Sequence, residues 1–440
     1  MRRAHLFAIP LMAGVLFLPV TAFAAQDNLK EARAAFDRKD YEAAVRLLNT
    51  VNADAGGPLY ELRAIAQAYR GHPEEALADL DHLEGKAPAH ILRRISLGLL
   101  THLLSHEQDM VRGAATVALA EFGPSGAQEA LTKCLADPSP RVRTFAIQTA
   151  GRLKLAGALP LVRQATEDRD PAVRIAAFST LGQSGDPSVV PILRRGLNDQ
   201  DQIVQLVSRE ALAKLKQPGF TEAIAQASRD YNPSVRGAAI GILGRLKDSA
   251  SFSILTLALH DPDAGVRSFA AGALGDLGSP SAIPALQEAL TDEDPYVRNF
   301  AAGSLGRLNA KSAIASLWEA VKDSDSLVRL SAAEALVRLG EGQAALVFRE
   351  LLRDANYGVR SAAVGAMART APAKAVAFAL EALDDPAARV RVAAVQALGR
   401  VGGKNAVPYL RRALLDKDLT VRAFAAGHLG AVSTDQKEKA

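Results

Sequence analysis

A Val-Arg pair that recurs every 31 residues constrains this chain more than any other feature of its sequence. The pair first occurs at Val111-Arg112 and last at Val421-Arg422, and one of the eleven units has Gln205 in place of Arg. Eleven units without an insertion predict a repeat array, in which each unit is a small supersecondary structure that stacks on its neighbours.

The residues around this pair predict an α-helix, which we call helix B. Counting from the repeated Arg as position 0, position −1 is Val in all eleven units, +3 is Ala in ten and +7 is Leu in nine. Steps of four place these positions on one apolar stripe. Gly at +8 in seven units, such as Gly275, is expected to end the helix. Position −4 carries a residue that can cap a helix N-terminus in nine units: Ser139, Asp170, Asp201, Asn232, Asp263, Asp294, Asp325, Asn356 and Asp418.

A second apolar segment, such as residues 282–290 or 407–415, lies between successive B helices and predicts a helix A. One helix pair cannot bury its own apolar face, so the pairs must stack. The sequence therefore predicts an all-α protein, a right-handed α-α superhelix of about eleven helix pairs.

The repeat resembles HEAT repeats, specifically the short 31-residue type of phycobilisome-lyase-like HEAT proteins. The resemblance rests on the run Asp-x-Asp/Asn-x-x-Val-Arg-x-x-Ala-x-x-x-Leu-Gly, as in residues 292–306, and covers residues 89–430. It implies a HEAT solenoid and says little about function. Residues 25–88 resemble tetratricopeptide helix pairs, through Tyr41, Ala43, Tyr69 and Gly71, and residues 431–440 form a polar tail.

Residues 1–24 have the three-part pattern of a secretory signal peptide. Arg2 and Arg3 precede an apolar run from about Leu6 to Val20, and Ala22 and Ala24 are small residues at the two positions that a signal peptidase reads. The apolar run is short for a membrane anchor and contains two prolines. We therefore expect a secreted protein, most simply in a bacterial periplasm, with no membrane insertion after cleavage.

Charge and cysteine content narrow the classes of partner and chemistry. The chain carries a formal charge of +4, or about +2 once Arg2 and Arg3 are removed, which gives no general attraction to nucleic acid or anionic lipid. The single cysteine, Cys134, excludes an intramolecular disulfide and a cysteine-based metal cluster, and it is expected to be a small core residue.

An acidic residue and a basic residue recur together in the repeat. Position −6 is Asp in ten units, and stacking would place these carboxylates and the Arg side chains in parallel rows. Arg can bridge several acceptors, so the rows are expected to tie neighbouring repeats; an anion-binding row is the alternative. Paired carboxylates in nearly every unit do not indicate acid–base catalysis, since an active site is singular. The ladder residues singled out are Asp168, Arg174, Asp261, Arg267, Asp292, Arg298, Asp323 and Arg329.

The face of helix B opposite the core is the predicted binding surface, formed by positions +1, +5 and +9. Five units have Gly at +5, which either relieves crowding between B helices or clears a shallow groove for a partner: Gly241, Gly272, Gly303, Gly365 and Gly427. Seven units have a basic residue at +9: Arg152, Lys214, Arg245, Arg307, Arg338, Arg369 and Arg400. These residues either balance the partial negative charge at the C-terminus of each helix or form a basic rim that binds an acidic partner.

Other candidate groups carry little chemistry. His102 and His106 have i,i+4 spacing but no convincing third ligand, so a structural role is preferred over a metal site. A HEAT-type family of di-iron hydroxylases has several His-Glu pairs, whereas this chain has only His106-Glu107. Phe145, Phe269 and Phe300 at position +2, with Phe424, are expected to pack between repeats.

These observations predict a non-enzymatic scaffold, with no cofactor and no metal, that binds a protein partner through the concave face of the solenoid. One alternative is a bilin or tetrapyrrole lyase-like enzyme or chaperone, which the resemblance to bilin lyases suggests and the signal peptide opposes. The other is a nucleic-acid-binding HEAT-like protein, which near-neutral charge and export oppose.

Overall fold

A computed structural model describes residues 20–51, 56–83, 88–124 and 126–433, except the side chains of residues 20–26. All regular structure in these ranges is helical. Most of the predicted signal peptide, residues 1–19, lies outside them. The chain divides into two compact units, residues 1–87 and 88–440.

The first unit contains four helices, α1 (Val20–Asp37), α2 (Tyr41–Leu48), α3 (Gly57–Tyr69) and α4 (Pro73–Asp81). Consecutive helices pack on each other around a small core that includes Leu48 and Leu59. Tyr41 and Tyr69 stack at 4.5 Å between ring centroids. The tetratricopeptide resemblance of this unit stays a prediction.

The second unit consists of eleven helix pairs, which confirms the predicted all-α solenoid. Odd-numbered helices are A helices and even-numbered ones are B helices, and short 3-10 turns extend several A helices. In chain order the helices are α5 (Ala89–Leu103), α6 (Asp109–Phe122), α7 (Ala127–Cys134), α8 (Pro140–Arg152), α9 (Leu159–Gln164), α10 (Pro171–Gln183), α11 (Val190–Arg195), α12 (Gln202–Lys214), α13 (Phe220–Ala227), α14 (Pro233–Leu246), α15 (Phe252–Leu257), α16 (Ala264–Leu277), α17 (Ile283–Glu288), α18 (Pro295–Arg307), α19 (Ile314–Ala320), α20 (Ser326–Arg338), α21 (Ala345–Leu351), α22 (Tyr357–Thr370), α23 (Pro372–Ala382), α24 (Ala388–Val401), α25 (Val407–Ala413) and α26 (Leu419–Val432).

The B helices begin where the capping residues predict, with one exception. In eight of the nine units with a predicted cap, the side chain at −4 accepts a hydrogen bond from the first turn, as Asp294 does from the backbone N–H of Tyr296. Ser139 does not cap α8, because its hydroxyl donates to Asp109 at 2.8 Å instead.

The interpretation of Gly at +8 as a helix end is wrong, because the helices continue past it. α18 runs to Arg307, beyond Gly306, and α16 runs to Leu277, beyond Gly275. The reason for glycine there is close approach of the next B helix. A Cβ at Gly306 would lie 2.8 Å from the Cα of Ala335 on α20.

The Arg–Asp rows join each repeat to the next along one edge. Arg298 donates from Nε and Nη2 to both carboxylate oxygens of Asp323, at 2.7 and 2.8 Å, and from Nη1 to the carbonyls of Asp292 and Glu293. Asp323 also accepts from the backbone N–H of Asp325, the next cap. The hydrogen bond from Arg298 holds the pKa of Asp323 below its usual value despite burial. The same 25-residue step joins Arg112 to Asp137, Arg143 to Asp168, Arg174 to Asp199, Arg236 to Asp261, Arg267 to Asp292, Arg360 to Asp385 and Arg391 to Asp416.

The two ends of the solenoid are in contact. α26, the last helix, packs against α5 and α6, so the B helices form a closed series in which each contacts two others. Arg93 on α5 donates to the carbonyl of Phe122, at the end of α6, and to that of Gly430 on α26, at 3.3 and 3.0 Å. A Cβ at Gly427 would lie 2.5 Å from the carbonyl oxygen of Ala118. Gly427 is therefore buried at the closure and does not belong to the predicted open face.

The closed series of eleven B helices surrounds an opening. Helices packed 8–10 Å apart in a regular ring of eleven have their axes on a circle about 30 Å across. Subtracting one helix diameter of about 10 Å leaves roughly 20 Å. The inner face is thus a confined surface whose width is set by the number of repeats.

His428 on α26 is the buried titratable group of the closure. Its side chain is 2% exposed and lies in the electrostatic field of Glu121, Arg152 and Arg400. Burial is the main reason why the pKa of His428 is lowered to about 4; the charge of Glu121 opposes the shift, and the charges of Arg400 and Arg152 contribute to it. The junction therefore holds a neutral imidazole at pH 7.

The two glycines of α18 predict opposite effects of the same substitution. Gly303→Ala is expected to raise the free energy of unfolding by about 0.5–1 kcal/mol, since its Cβ would meet nothing closer than 3.8 Å and Ala favours a helix. Gly306→Ala is expected to lower it by about 1–3 kcal/mol through overpacking. Chemical unfolding of the two variants checks this, and an equal effect would contradict the explanation of the +8 glycines.

Ring closure predicts a specific crosslink. In a Cys134→Ser background, Met110→Cys on α6 and Thr420→Cys on α26 should be joined within one chain by a bismaleimide of about 10 Å, since adjacent helix axes lie 8–10 Å apart. Met110→Cys paired with Ser234→Cys on α14 is the control, because those helices are not neighbours in the ring. Equal yields from the two pairs, measured by mass spectrometry, would mean that the ends are apart.

The neutral His428 predicts a loss of stability in mild acid. Its folded pKa lies below the unfolded value of about 6.5, so the unfolded chain binds more protons as the pH falls from about 6.5 towards 4. His428→Leu should remove this dependence and be more stable than the wild type at pH 5, relative to pH 8, by on the order of 1 kcal/mol. Parallel curves for the two proteins between pH 8 and 5 would mean that folding does not shift the pKa of His428 and would contradict a buried neutral imidazole.

Candidate binding surface

The face of helix B that points into the ring is formed by positions −2, +2, +5 and +9, which we call the inner stripe. The A helices cover the opposite side, where Val at −1, Ala at +3 and Leu at +7 are buried. The prediction that +1 belongs to the open face is wrong. Residues at +1 are buried in six units, as Leu206 and Leu330 are, and half-buried in the other five, whereas exposed side chains such as Phe269 and Phe300 stand at +2.

The inner stripe of α18 runs from an aromatic end to a basic end. Tyr296, Phe300, Gly303 and Arg307 occupy −2, +2, +5 and +9, and span about 16 Å at 1.5 Å per residue. Tyr296 is 62% exposed and Phe300 42% exposed. On the adjacent α16, Phe269 is 51% exposed. We call Phe269, Tyr296 and Phe300 the aromatic patch.

The glycines at +5 leave open space on this face. The nearest side-chain atoms to a Cβ at Gly241, Gly272 or Gly303 lie 3.5–3.8 Å away, which is ordinary contact, and at Gly365 the nearest atom is the flexible end of Arg369. Close approach of backbone or side-chain atoms from a neighbouring helix therefore explains the glycines at +8 and not these four. Phe269 lies against Gly237 and Gly241, and Phe300 lies against Gly272, so the expected packing of these rings between repeats coexists with their exposure.

The bases at +9 are largely engaged within the chain. Glu210 at +5 on α12 binds Lys214 and also Arg245 on α14, both at 2.8 Å. Burial opposes ionisation of Glu210, but the hydrogen bonds from Arg245 and Lys214 outweigh it and keep its pKa below the usual value. The paired bases are thus held in place and partly neutralised.

A second cluster has the same form four repeats later. Glu334 on α20 binds Arg338 at 3.0 Å and Arg369 on α22 at 2.9 Å. Burial again opposes ionisation of Glu334, and the hydrogen bonds from Arg369 and Arg338 lower its pKa. Elsewhere Arg152 binds Glu121 at 2.8 Å, and Arg400 lies in the field of Glu121 and His428 at the closure.

The two clusters bridge the two junctions between consecutive repeats at which the ladder fails. Gln205 reaches only the carbonyl of Asp199 and forms no ion pair across to α14. Arg329 stands 3.8 Å from Asp354 and donates to Ser326 instead. Arg245 and Arg369 therefore join repeats, and their role as partner contacts is secondary.

An open concavity of about 890 Å³ lies at the C-terminal ends of α12 to α20. It is lined by five bases and one acid: Lys214, Arg245, Lys247, Arg307, Arg338 and Asp276. Among the predicted contact residues that line it, Arg307 has the longest ion pair: its Nε stands 3.6 Å from Asp276, while its Nη2 donates to Ser304 Oγ at 2.8 Å and to the carbonyl of Gly272 at 3.2 Å.

The other candidate residues, the histidines and Cys134, do not form a catalytic or metal-binding arrangement in the described part of the chain. No group of three or more His, Cys, Asp or Glu there has the arrangement of a metal site. His106 lies beyond the end of α5 and accepts from the backbone N–H of Gln108, so it does not share a helical face with His102. Cys134 is buried, and burial raises the pKa of its thiol. No helix among the described residues is long and apolar enough to cross a membrane.

Sequence reasoning missed the aromatic patch and the two bridging carboxylates. The exposure of Phe269 and Phe300 depends on how each B helix is rotated about its own axis relative to its neighbour. The repeat pattern in the sequence does not determine this rotation. Glu210 and Glu334 could have been found, because each stands at +5 in a unit that lacks Gly at +8, with a base at +9 of its own unit and another at +9 of the next.

No curated protein matches the chain. Several solved structures are similar to it at low identity: human deoxyhypusine hydroxylase with glycerol (23% identity, 57% of this chain and 98% of that chain, TM-score 0.31), and the CpcE–CpcF phycocyanin lyase of Nostoc (20%, 54% and 92%, 0.37). An engineered protein gives 20% identity over 77% of this chain and 99% of its own, with a TM-score of 0.29.

A family model described as HEAT repeats matches residues 129–213, 220–298, 286–368 and 345–430. These segments cover more than half of the chain and coincide with the helix pairs described above. The chain belongs to the HEAT-repeat family.

Proposed function

We propose that this protein is a non-enzymatic scaffold, exported to a bacterial periplasm, that binds a protein partner through the inner, concave face of its HEAT repeats. The observation that carries the proposal is the aromatic patch. Exposed aromatic side chains on adjacent helices are what protein interfaces use as anchors, because burying them on binding gains free energy at a small entropic cost.

The positions of the patch support a binding role over a structural one. Tyr296 is 62% exposed, so packing within the chain accounts for little of its surface. Phe269 and Phe300 stand at +2, where several other units have Ala, such as Ala238 and Ala362. The repeat therefore does not need an aromatic residue there, and function is the better reason for it.

The proposal of export rests on residues 1–24 alone. Arg2 and Arg3, the apolar run and the small residues at 22 and 24 are the features on which a signal peptidase acts. Cleavage after Ala24 would give a mature chain that begins at Ala25.

Photo-crosslinking in the native host tests the binding role. With p-benzoylphenylalanine in place of Phe300, we expect crosslinks to one partner protein in the periplasmic fraction, on a chain that begins at Ala25. The matched control places the same group at Leu257, which is 73% exposed on the A helix α15.

Equal crosslinking from the two positions would contradict binding at the inner face, and a chain that keeps Met1 in the cytoplasm would contradict export. Pigment bound in an absorbance titration with a bilin or haem would favour the tetrapyrrole alternative instead.

A further inference from the structure

The inner face also indicates what kind of partner it holds. We propose that the ring binds a single extended polypeptide segment in which an apolar side chain is followed, three to five residues away, by carboxylates. This inference rests on the proposed function and specifies the partner of the same surface.

The closed ring limits the size of the ligand. A 100-residue domain has a radius of gyration of about 13 Å and is roughly 30 Å across, which exceeds the opening of about 20 Å. An extended chain fits, even with inner-stripe side chains projecting into the opening. The partner therefore enters as a segment, such as a terminus or a loop, and not as a folded domain.

The order of groups along α18 sets the order of groups in the ligand. Phe300 and Arg307 are seven residues apart, or about 10 Å, and Tyr296 and Arg307 are eleven apart, or about 16 Å. An extended peptide rises about 3.3 Å per residue, so these distances correspond to three to five residues. A peptide lying along the helix would place its apolar side chain on the aromatic patch and its carboxylates at Arg307.

Charge at the basic end selects an acidic ligand. Lys214, Arg245, Lys247, Arg307 and Arg338 line the concavity, against Asp276 in the lining and Glu210 and Glu334 beside it. Five bases against three acids leave an excess of two positive charges. Arg307 and Arg338 have 41% and 43% of their side-chain surface exposed, so both can pair with a carboxylate.

A polypeptide fits these groups better than a nucleic acid or a polysaccharide. An excess of two positive charges can balance two carboxylates, whereas a nucleic acid or an acidic polysaccharide presents many more negative charges than this lining neutralises. Beside the aromatic patch, Ser331 donates to Asn299 at 2.5 Å, so these polar groups are engaged with each other and not aimed at a sugar hydroxyl.

Fluorescence polarisation with labelled twelve-residue peptides tests this inference on the full chain. The probe contains two leucines followed, four residues later, by two glutamates; one matched peptide has lysines for the glutamates and another has serines for the leucines. We expect the probe to bind at least about ten-fold more tightly than either matched peptide. Phe300→Ser, Tyr296→Ser and Arg307→Glu should each weaken it by a similar factor.

The control variants Leu257→Ser and Arg195→Glu, on the A helices α15 and α11, should leave the affinity unchanged. Three results would overturn the inference: equal binding of all three peptides, binding that ignores Phe300 and Arg307, or tighter binding of a twelve-nucleotide DNA or of heparin with the same dependence on these residues. If photo-crosslinking at Phe300 succeeds while the peptides fail, the partner class is wrong and the scaffold stands; if the crosslinking fails as well, both are wrong.

Discussion

The bidentate pair between one repeat's Arg and the next repeat's Asp is the interaction on which the geometry of this protein depends. Each guanidinium binds the carboxylate ahead of it and the two carbonyls of the loop behind it, and each carboxylate also receives the N–H of a helix cap. A planar fork with fixed donors fixes angles as well as distances. Ion pairs of this kind add modest net stability because their charges are desolvated, so their main effect is to give the eight steps that they join the same geometry.

Similar steps make closure possible. Eleven repeats close when each turns by about one eleventh of a circle, roughly 33°, and an error of a few degrees per step would leave a gap or a clash at the end. The last junction absorbs the remaining mismatch with its own contacts. Arg93 donates hydrogen bonds to the C-terminal ends of both α6 and α26. At this junction Gly427, at position +5, contacts the backbone of Ala118, whereas in other units it is the glycine at +8 that lies against the next helix.

The two interrupted steps show how the same constraint is met by other residues. The units of Gln205 and Arg329 lack Gly at +8 as well as the ladder pair, so their helices have neither the close backbone contact nor the bridge at the N-terminal edge. Glu210 and Glu334 supply a bridge at the other edge, through Arg245 and Arg369. Bases that the sequence suggested as partner contacts thus belong to the mechanism that holds the ring together.

The period of 31 residues was enough to predict the helix pairs, their caps and the buried stripe, because these depend on residues a few positions apart. Val at −1 is buried in every unit for the same reason that it recurs. Closure could not be predicted, since it depends on a small angle summed over eleven steps. The function of the glycines at +8 was assigned wrongly because it depends on distant residues: Gly306 looks like a helix end by position, whereas the Cα of Ala335, 29 residues away, is the actual reason for it.

The division of helix B into constrained and free positions explains where function can reside in such a ring. Positions 0, +1, +6 and +8 contact the neighbouring repeat, so substitutions there change the angle between repeats and, through it, the closure. Positions −2, +2 and +5 face the opening and hold residues as different as Gly, Ala, Glu, Tyr and Phe in different units. Specificity can therefore change at the inner stripe without altering the ring. Only on α16 and α18, among the described inner-stripe residues, do exposed aromatic rings at these positions stand on neighbouring helices, which is why the partner's anchor is placed there.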